Sequence, residues 1–375
     1  MMNNQSTKRA RLINTPEDYK KLGVNPETIE KWEDQRRDTK QGGHWEWWYF
    51  DALCDDGTAV VIQFFTKISQ FANKDYPMLT IKVTLPDGTN LHRRYQYSAA
   101  EGKFGAGQCD VQIAKHHFKG DFKNYSIFVD AAEGLGADIK LKSLAQPYRP
   151  ASSYFQFGKN YFTWLCAVPK GEVSGTITID GQTREIHGRG YHDHQWGSNM
   201  YFSLWNHWLW ARQGFDDYSL LVFDLTASKK YGHKRFPIMF IEDKDGNIIF
   251  ENTEEVKHEV LEEYFDEHCG KYVPKTSHYT FRNGAKQVEY TLTWNKIIEN
   301  TSAKDTKKLN FAAWFFSKIL GLNPSYTRYS AMGHLKITEA SKEPIERSGE
   351  LIYEYMFPGK MYKVNYTETH REDTE

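Results

Sequence analysis

Three pairs of motifs recur along this chain in the same order, at a nearly constant separation of about 160 residues. The pairs are His44–Trp47 with His207–Trp210, Pro77-Met78 with Pro237-Ile238, and Ile186 and Gly190 with Ile345 and Gly349. Each member of the first pair leads through two aspartates into an apolar stretch typical of a β-strand. This self-similarity predicts two related halves, each about the size of a small closed β-barrel.

After residue 43 the chain reads as short strands separated by tight turns. Thr80–Leu85, Thr176–Ile179 and Val288–Trp294 alternate apolar and polar side chains, as strands of a half-buried antiparallel sheet do. Asp-Gly and Asn-Gly pairs, which favour hairpin turns, lie between such stretches. Because 375 residues exceed the size at which one core stops growing, we predict an all-β fold with two antiparallel β-barrel domains in tandem, residues 44–198 and 199–375.

Residues 1–43 are predicted to form a polar lead-in with short helices. Thr15-Pro16 has the pattern of a helix N-cap followed by proline at the first helical position, and Asn25–Glu27 repeats that signal. Later in the chain, Asp305–Leu320 carries the apolar face of a helix. We expect that helix to pack on a barrel, with a lid over a pocket or a contact with a membrane surface as the alternatives.

Composition excludes several classes of protein. A net charge of -1, with 26% charged residues, gives no field that would draw the chain to nucleic acid or to an anionic membrane. Four cysteines without a CxxC pair fit neither a disulfide framework nor a zinc knuckle, and they suit a reducing compartment. The sequence has no run of about 18 apolar residues and no apolar leader segment. We therefore expect a cytoplasmic protein with no nucleic-acid partner and no membrane-spanning segment; its oligomeric state is left open.

The segment Gly188–Gly197, with the sequence GRGYHDHQWG, concentrates the reactive side chains of the chain. In an extended strand, alternation groups Tyr191 with Asp193 and Gln195 on one face, and His192 with His194 and Trp196 on the other. Three glycines within ten residues indicate close backbone approach or bulges, which often redirect side chains near functional sites. Two interpretations are open: a polar network that joins the two halves, or a reactive site centred on Asp193.

Other kinds of site find less support in the sequence. A metal site would need His192 and His194 together with a third ligand such as His187, His44 or Glu46, a permitted spacing that no HExxH motif or cysteine cluster supports. The chain has no G-x-S-x-G nucleophile elbow and no glycine-rich phosphate loop ahead of a helix. We therefore expect neither a metal ion nor any other cofactor.

The string GRGYHDHQWG, taken with the early HWEWWYFDA, resembles the carotenoid 1,2-hydratase (hydroxyneurosporene synthase) and AttH-like family. Kievitone hydratase, the lipocalin-like Diels–Alderases and, more distantly, tocopherol cyclase are related to it. The resemblance covers residues 40–360 and implies two lipocalin-like domains with a largely apolar pocket. Hydratases of this family add water across an isoprenoid double bond without a cofactor, and the family's acid falls on Asp193. Because Gly349–Glu354 lacks the His-Asp-His pattern, the resemblance implies one site per chain.

Protonation of an unactivated alkene needs a carboxylic acid that keeps its proton near neutral pH, and surroundings that stabilise a carbocation. Burial among aromatic rings supplies both, and 15% of this chain is aromatic. We predict Asp193 as the general acid, with His192 or His194 holding water or orienting Asp193. Glu46 would be a second proton carrier, or a structural partner of a motif histidine or of Arg212. Eight residues are predicted to bind the substrate: Trp45, Trp47, Trp48, Tyr191, Trp196, Trp208, Trp210 and Arg212.

Three functions remain open at this point. The first is a cofactor-free hydratase or cyclase that acts on an isoprenoid or polyene, and the second is a carrier that binds an apolar small molecule without chemistry. The third is a pericyclase, which shapes a polyene and needs no proton donor. Replacing Asp193 with asparagine separates them, because it abolishes a hydratase, leaves binding by a carrier intact and slows a pericyclase only modestly.

Overall fold

The computed structural model describes residues 10–38, 42–67, 76–253, 256–305 and 322–362. Its contacts divide the chain into two compact units, of which one comprises Arg11–Tyr201 and the other comprises Ala10 and the described residues from Phe202 onward. We call them the first unit and the second unit. The predicted helix Asp305–Leu320 lies almost wholly outside the described residues.

The first unit is one large antiparallel sheet. It runs in the order β5-β4-β3-β2-β13-β12-β10-β9-β8-β7-β6, with β11 pairing both β1 and β12. Its strands are β1 (Ala10–Leu12), β2 (His44–Cys54), β3 (Ala59–Phe65), β4 (Met78–Thr84), β5 (Asn90–Gln96), β6 (Gly102–Phe104), β7 (Cys109–Ile113), β8 (His116–Gly120), β9 (Asn124–Val129), β10 (Leu135–Ser143), β11 (Tyr154–Phe157), β12 (Asn160–Ile179) and β13 (Gln182–Ser198).

The second unit repeats this arrangement in a nine-stranded sheet of the order β17-β16-β15-β14-β22-β21-β20-β19-β18. Its strands are β14 (Trp205–Gly214), β15 (Tyr218–Ala227), β16 (Arg235–Asp243), β17 (Ile248–Asn252), β18 (Lys257–Asp266), β19 (Lys271–Asn283), β20 (Lys286–Ser302), β21 (Ser325–Glu339) and β22 (Ile345–Phe357). In both units the first of four consecutive strands pairs with the last strand of the unit, as β2 does with β13 and β14 with β22. The motif repeat therefore corresponds to equivalent strands, and the predicted fold, nearly all-β with two curled antiparallel half-barrel sheets, is confirmed.

Helices are short and few in the described part of the chain. The α-helices are α1 (Pro16–Leu22) and α2 (Tyr201–Leu204), and residues 303–305 are also helical. The 3-10 helices are Lys31–Asp34, Ala99–Glu101 and Lys229–Tyr231. Thr15 caps α1 as predicted, because its hydroxyl accepts a hydrogen bond from the Asp18 amide. The signal at Asn25–Glu27 leads instead to the 3-10 helix Lys31–Asp34. Within the described ranges, no helix has the length and apolarity needed to cross a membrane.

The core of the first unit lies on one face of its curled sheet. Phe50, Ile62, Leu79 and Ile139 are fully buried there, because every second residue of each strand points inward. The pairing of β12 with β13 is regular except for register shifts between Cys166 and Gly171. Such bulges bend a strand and redirect its side chains, and these lie beside the reactive segment of β13.

Candidate active site on the two faces of strand β13

Strand β13 presents its polar residues on two opposite faces. Asp193 pairs with Cys166 of β12 and with Tyr49 of β2, whereas His194 pairs with Leu165 and Trp48. Leu165 and Trp48 belong to the core cluster of the first unit, so the face that carries His194 is the inner one. Asp193 lies on the outer face, which confirms the alternation expected for this segment.

The carboxyl group of Asp193 is enclosed by three hydrogen-bond donors. Oδ2 accepts from the Trp164 indole Nε1 at 3.1 Å and from the Tyr191 hydroxyl at 2.9 Å. The Gln195 amide nitrogen lies 3.2 Å from Oδ1 and 3.3 Å from Oδ2. Asp193 is 4% exposed, and Trp164 and Tyr191 are completely buried. The group is therefore held in one orientation by neutral donors.

Burial raises the pKa of Asp193 to about 6, because removal from water penalises the charged carboxylate. The hydrogen bonds from Tyr191, Gln195 and Trp164 and the charge of His192 act in the opposite direction and only partly offset burial. No basic side chain is among the hydrogen-bonding partners of this carboxyl in the described residues. Asp193 can therefore exist as a neutral acid close to neutral pH.

Two of the predicted substrate-binding tryptophans share the outer face of β2 near Asp193. Trp47 pairs with Gln195 and Trp45 pairs with Gly197 across the two strands. Their rings stack on each other at 4.5 Å, and both contact the Tyr201 ring. The outer face therefore offers aromatic surface together with a carboxyl group of raised pKa.

The inner face holds a buried network of acids and histidines. His192 Nε2 lies 3.2 Å from Asp34 Oδ2, and His194 Nδ1 lies 3.2 Å from Asp34 Oδ1. His194 Nε2 lies 2.7 Å from Glu46 Oε1, so both nitrogens of this imidazole face carboxylates. Glu46 also accepts from the backbone amides of Arg37 and Asp38, at 2.6 and 3.0 Å. Of the two roles predicted for Glu46, this geometry matches the structural partner of a motif histidine.

The charges in this network support one another. Burial alone would raise the pKa of Asp34, but the charges and hydrogen bonds of His192 and His194 outweigh it and hold the pKa well below its usual range. Burial alone would lower the pKa of His194, but Asp34 and Glu46 raise it overall. His192 Nδ1 lies 2.8 Å from the backbone carbonyl of Tyr49. The network therefore ends on main chain, and the imidazoles of His192 and His194 face away from the side of β13 that carries Asp193.

Trp48 and Trp196 also lie on the inner face. Trp48 stacks on His194 at 4.5 Å and donates from Nε1 to the backbone carbonyl of Asp34 at 3.0 Å. Trp196 lies 4.7 Å from His194 and carries the Arg37 guanidinium over its ring at 4.9 Å. These two of the predicted substrate-binding residues thus pack around the Asp34 network, on the face opposite Asp193.

The other predicted substrate-binding residues, Trp208, Trp210 and Arg212, belong to strand β14 of the second unit. They alternate with Leu209 and Ala211, which lie in the core of that unit, so they occupy the opposite face of its sheet. The Arg212 guanidinium lies 5.6 Å from the centre of the Trp210 ring.

The second unit has no copy of the His-Asp-His pattern at the equivalent strand. Gly349 of β22 matches Gly190 of β13 in the repeat, which places Ile352 where the first unit has Asp193. Its buried charges lie elsewhere, where Asp224 pairs with Arg235 and with His258 Nδ1, the latter at 3.0 Å. The described residues therefore agree with one acid of this kind per chain.

Two cavities of ligand size occur in the described residues away from Asp193. One, of about 810 Å³, lies in the first unit and is lined by Tyr125, Leu141 and Arg189 among others. The other, of about 770 Å³, lies in the second unit and is lined by Trp205, Asn206 and Lys230 among others. Asp193 lines neither of them.

One group of residues in the described part could hold a metal ion. Asp34, Cys109 and His192 each bring one ligand atom within 4.8 Å of the others. These atoms have protein partners as well, since Tyr125 donates to Asp34 Oδ2 at 2.7 Å and Cys109 lies 3.5 Å from the Phe118 carbonyl. The hydrogen-bond network therefore accounts for their arrangement without an ion.

Sequence reasoning missed two contributors to these arrangements. Asp34 lies in the lead-in, far from β13 in sequence, and its only signal was an acidic pair, Glu33-Asp34, directly after Trp32. Both members are buried, and Glu33 pairs with Arg149 at 2.8 Å. Trp164 sits in an apolar stretch of β12 that gives no sign of a polar partner.

These features define a protein of two tandem, curled antiparallel β half-barrels with one buried carboxyl group of raised pKa on β13 of the first. The Diels-Alderase-like family matches residues 22–279, and the chain belongs to that family. No curated protein matches the sequence.

Solved structures with TM-scores above 0.5 show the same fold at low sequence identity, and a further structure is similar at a lower score. An AttH-like protein from Nitrosomonas europaea is 16% identical over 83% of this chain and 92% of its own, with a TM-score of 0.54. CghA with Sch210972 is 14% identical over 84% of this chain and 89% of its own, with a TM-score of 0.58. Kievitone hydratase from Nectria haematococca is 13% identical over 87% of this chain and 94% of its own, with a TM-score of 0.48.

Proposed function

We propose that this chain is a cofactor-free enzyme that converts an apolar, unsaturated small molecule of the isoprenoid or polyene class, with Asp193 as the proton donor. The single observation that carries the proposal is a buried carboxyl whose pKa is raised to about 6 and whose hydrogen-bond donors are all neutral. An acid of this kind transfers a proton readily near neutral pH.

The proposed reaction begins when Asp193 gives its proton to one carbon of a double bond. The electron pair of the double bond forms the new carbon–hydrogen bond and leaves a cation on the neighbouring carbon. A water molecule then adds to the cation and loses a proton, which restores the acid, so the net change is the addition of water. If another double bond of the substrate attacks the cation instead, a ring closes and the positive charge moves to a further carbon. Loss of a proton from a carbon next to that charge forms a new double bond and restores the acid, so the product is a cyclic isomer of the substrate.

The residues around Asp193 suit this sequence of charges. Trp45 and Trp47 present aromatic surface on the same face, and aromatic rings stabilise cations by roughly 0.5–2 kcal/mol each when water is excluded. Trp164 and Tyr191 already donate to the carboxyl, so they stabilise the carboxylate as it forms. The aromatic rings would therefore stabilise the developing carbocation, and the two hydrogen-bond donors would stabilise the developing carboxylate.

Membership of the Diels-Alderase-like family favours a second candidate, a pericyclase. In that case Asp193 would keep its proton and hydrogen-bond to a carbonyl group conjugated with the reacting alkene. No carbon–hydrogen bond would form, and the product would be an isomer of the substrate.

A reaction in deuterated water separates these candidates. The purified protein is incubated in D2O with a panel of linear carotenoids and polyketide polyenes, and the products are analysed by mass spectrometry. Acid catalysis predicts carbon-bound deuterium in the product, lost with Asp193→Asn, together with a gain of one water for a hydratase. A product of unchanged mass without deuterium supports the pericyclase, and full turnover by Asp193→Asn contradicts any role for the acid. Binding without conversion would support a carrier instead.

A further inference from the structure

The two oxygens of Asp193 have unequal surroundings. Oδ2 accepts from Trp164 Nε1 at 3.1 Å and from the Tyr191 hydroxyl at 2.9 Å. Oδ1 has one neighbour among the described donors, the Gln195 amide nitrogen at 3.2 Å, which is shared with Oδ2 at 3.3 Å. This asymmetry is built into the fold, because Trp164 comes from β12 and Tyr191 from β13.

In a neutral carboxylic acid, the carbonyl oxygen is the better acceptor and the hydroxyl oxygen carries the hydrogen. An indole N–H can only donate, so Trp164 requires an acceptor opposite it. The oxygen that receives two donors is therefore stabilised as the carbonyl oxygen. A hydrogen on Oδ2 would weaken the bond from Trp164 and would require the Tyr191 hydroxyl to accept instead of donate, whereas a hydrogen on Oδ1 leaves both bonds intact.

We propose that the hydrogen which Asp193 transfers is carried by Oδ1, and that Trp164 and Tyr191 are the positioning residues that keep it there. The inference rests on the proposed function for its catalytic meaning, but the location of the hydrogen is a property of the resting protein. This location of the hydrogen also fixes the direction from which the substrate approaches, because the reacting double bond must reach Oδ1 from the side away from Trp164 and Tyr191.

Gln195 completes the arrangement, because its amide can present either a donor or an acceptor. With the carboxylate ionised, Nε2 donates to both oxygens, as in the described geometry. With Oδ1 protonated, a half-turn of the amide brings Oε1 into position to accept the hydrogen, and the two orientations have the same shape. Gln195 thus accommodates both forms of the acid, whereas Trp164 and Tyr191 favour one carbonyl oxygen throughout.

Few ionisable groups pair with Asp193 or with its neighbour Tyr191 on this face of the sheet. Cys166 of β12 and Tyr49 of β2 pair with Asp193, and Asp51 of β2 pairs with Tyr191. None of these three carries a positive charge. His192 acts on Asp193 through its charge from the opposite face of β13. Removing one hydrogen bond should therefore raise the pKa of Asp193 in a measurable way.

Infrared spectroscopy of the substrate-free protein labelled with 13C-aspartate tests the proposal, with Asp193→Asn used to identify the band of Asp193. Below its pKa, the wild-type carboxylic acid should show a carbonyl stretch at low frequency, since its carbonyl oxygen accepts two hydrogen bonds. Tyr191→Phe and Trp164→Phe should each raise that frequency and raise the titration midpoint by about one pH unit. The matched control is Tyr148→Phe, which removes the hydroxyl of a buried tyrosine whose ring packs against Trp164 at 6.1 Å.

The outcomes distinguish this proposal from the proposed function. If the carbonyl frequency is the same in the wild type, Tyr191→Phe and Trp164→Phe, the hydrogen is on Oδ2 and the placement is overturned, even where Asp193→Asn abolishes turnover. If both variants shift the band as expected while Asp193→Asn keeps full turnover, the placement stands and the catalytic function fails. A shift in Tyr148→Phe equal to that in Tyr191→Phe would show a general loosening of the site and would also overturn the placement.

Discussion

Asp193 and His192 are consecutive residues whose side chains serve opposite faces of one strand. His192 Nε2 lies 3.2 Å from Asp34 Oδ2 among the core residues, whereas the Asp193 carboxyl accepts from Trp164 on the outer face at 3.1 Å. The histidines and the aspartate of the His-Asp-His string therefore have different roles. Its histidines contact Asp34 of the lead-in, and its aspartate is a buried carboxyl group whose pKa is raised.

Activity should depend on the protonated form of Asp193. Burial raises the pKa of this carboxyl to about 6, so its acid form predominates below that pH and is lost above it. We expect kcat/KM to be level at low pH and to fall by about tenfold for each pH unit above the midpoint. Steady-state rates with a converted polyene between pH 5 and 9 check this, and rates that rise with pH would contradict it.

Replacing Asp193 with asparagine should stabilise the protein at neutral pH. The folded pKa is raised from 3.8 to about 6, so the native state binds more protons than the unfolded state between these values, and stability falls as pH rises through that window. The neutral amide of the Asp193→Asn variant avoids the cost of burying an ionised carboxylate. The variant's free energy of unfolding should therefore exceed that of the wild type by roughly 2–3 kcal/mol above pH 7, and the difference should vanish below pH 4. Urea unfolding of both proteins at several pH values measures the difference. The exposed Asp138→Asn serves as the control, and a pH-independent difference for Asp193→Asn would count against the raised pKa.

Replacing Asp34 with asparagine should destabilise the first unit strongly. His192 and His194 would lose the carboxylate that they share, and breaking a buried ion pair costs about 3–5 kcal/mol. Urea unfolding at pH 6.5 tests this. Asp110→Asn, which breaks the exposed pair with Lys119, should cost less than about 1 kcal/mol. Equal effects of the two substitutions would show that the inner network is not structural.

Much of the fold could be predicted because its signals are local or repeated. The capping residue Thr15 and the alternation of residues 191–196 depend only on near neighbours, and the motif repeat reports on equivalent strands without any knowledge of their contacts. The composition of the tryptophan clusters did not indicate which face of the sheet packs against the core. Trp47 and Trp48 are adjacent and equally aromatic, yet they lie on opposite faces of β2.

The candidate site was harder to predict, because its contacts join distant parts of the chain. Asp34 meets β13 only after the lead-in folds against the sheet, and Trp164 meets Asp193 only through the register of β12 with β13. That register contains irregular pairing between Cys166 and Gly171. The glycines of β13 indicated a bulge in this region, but they did not indicate which residues of β12 would face Asp193. The motif indicated Asp193 as the candidate acid, but its hydrogen-bonding partners could be found only from the strand pairing.

The most direct test of the account is the pH at which Asp193 loses its proton. In protein labelled with 13C-aspartate, the carboxyl carbon that disappears from the spectrum of Asp193→Asn is followed by NMR from pH 3 to pH 9. We expect the titration of the Asp193 carboxyl group to have its midpoint at about pH 6. A midpoint near the ordinary value of 3.8 would leave almost none of Asp193 in its acid form near neutral pH, and it would contradict the proposal that this residue is the proton donor.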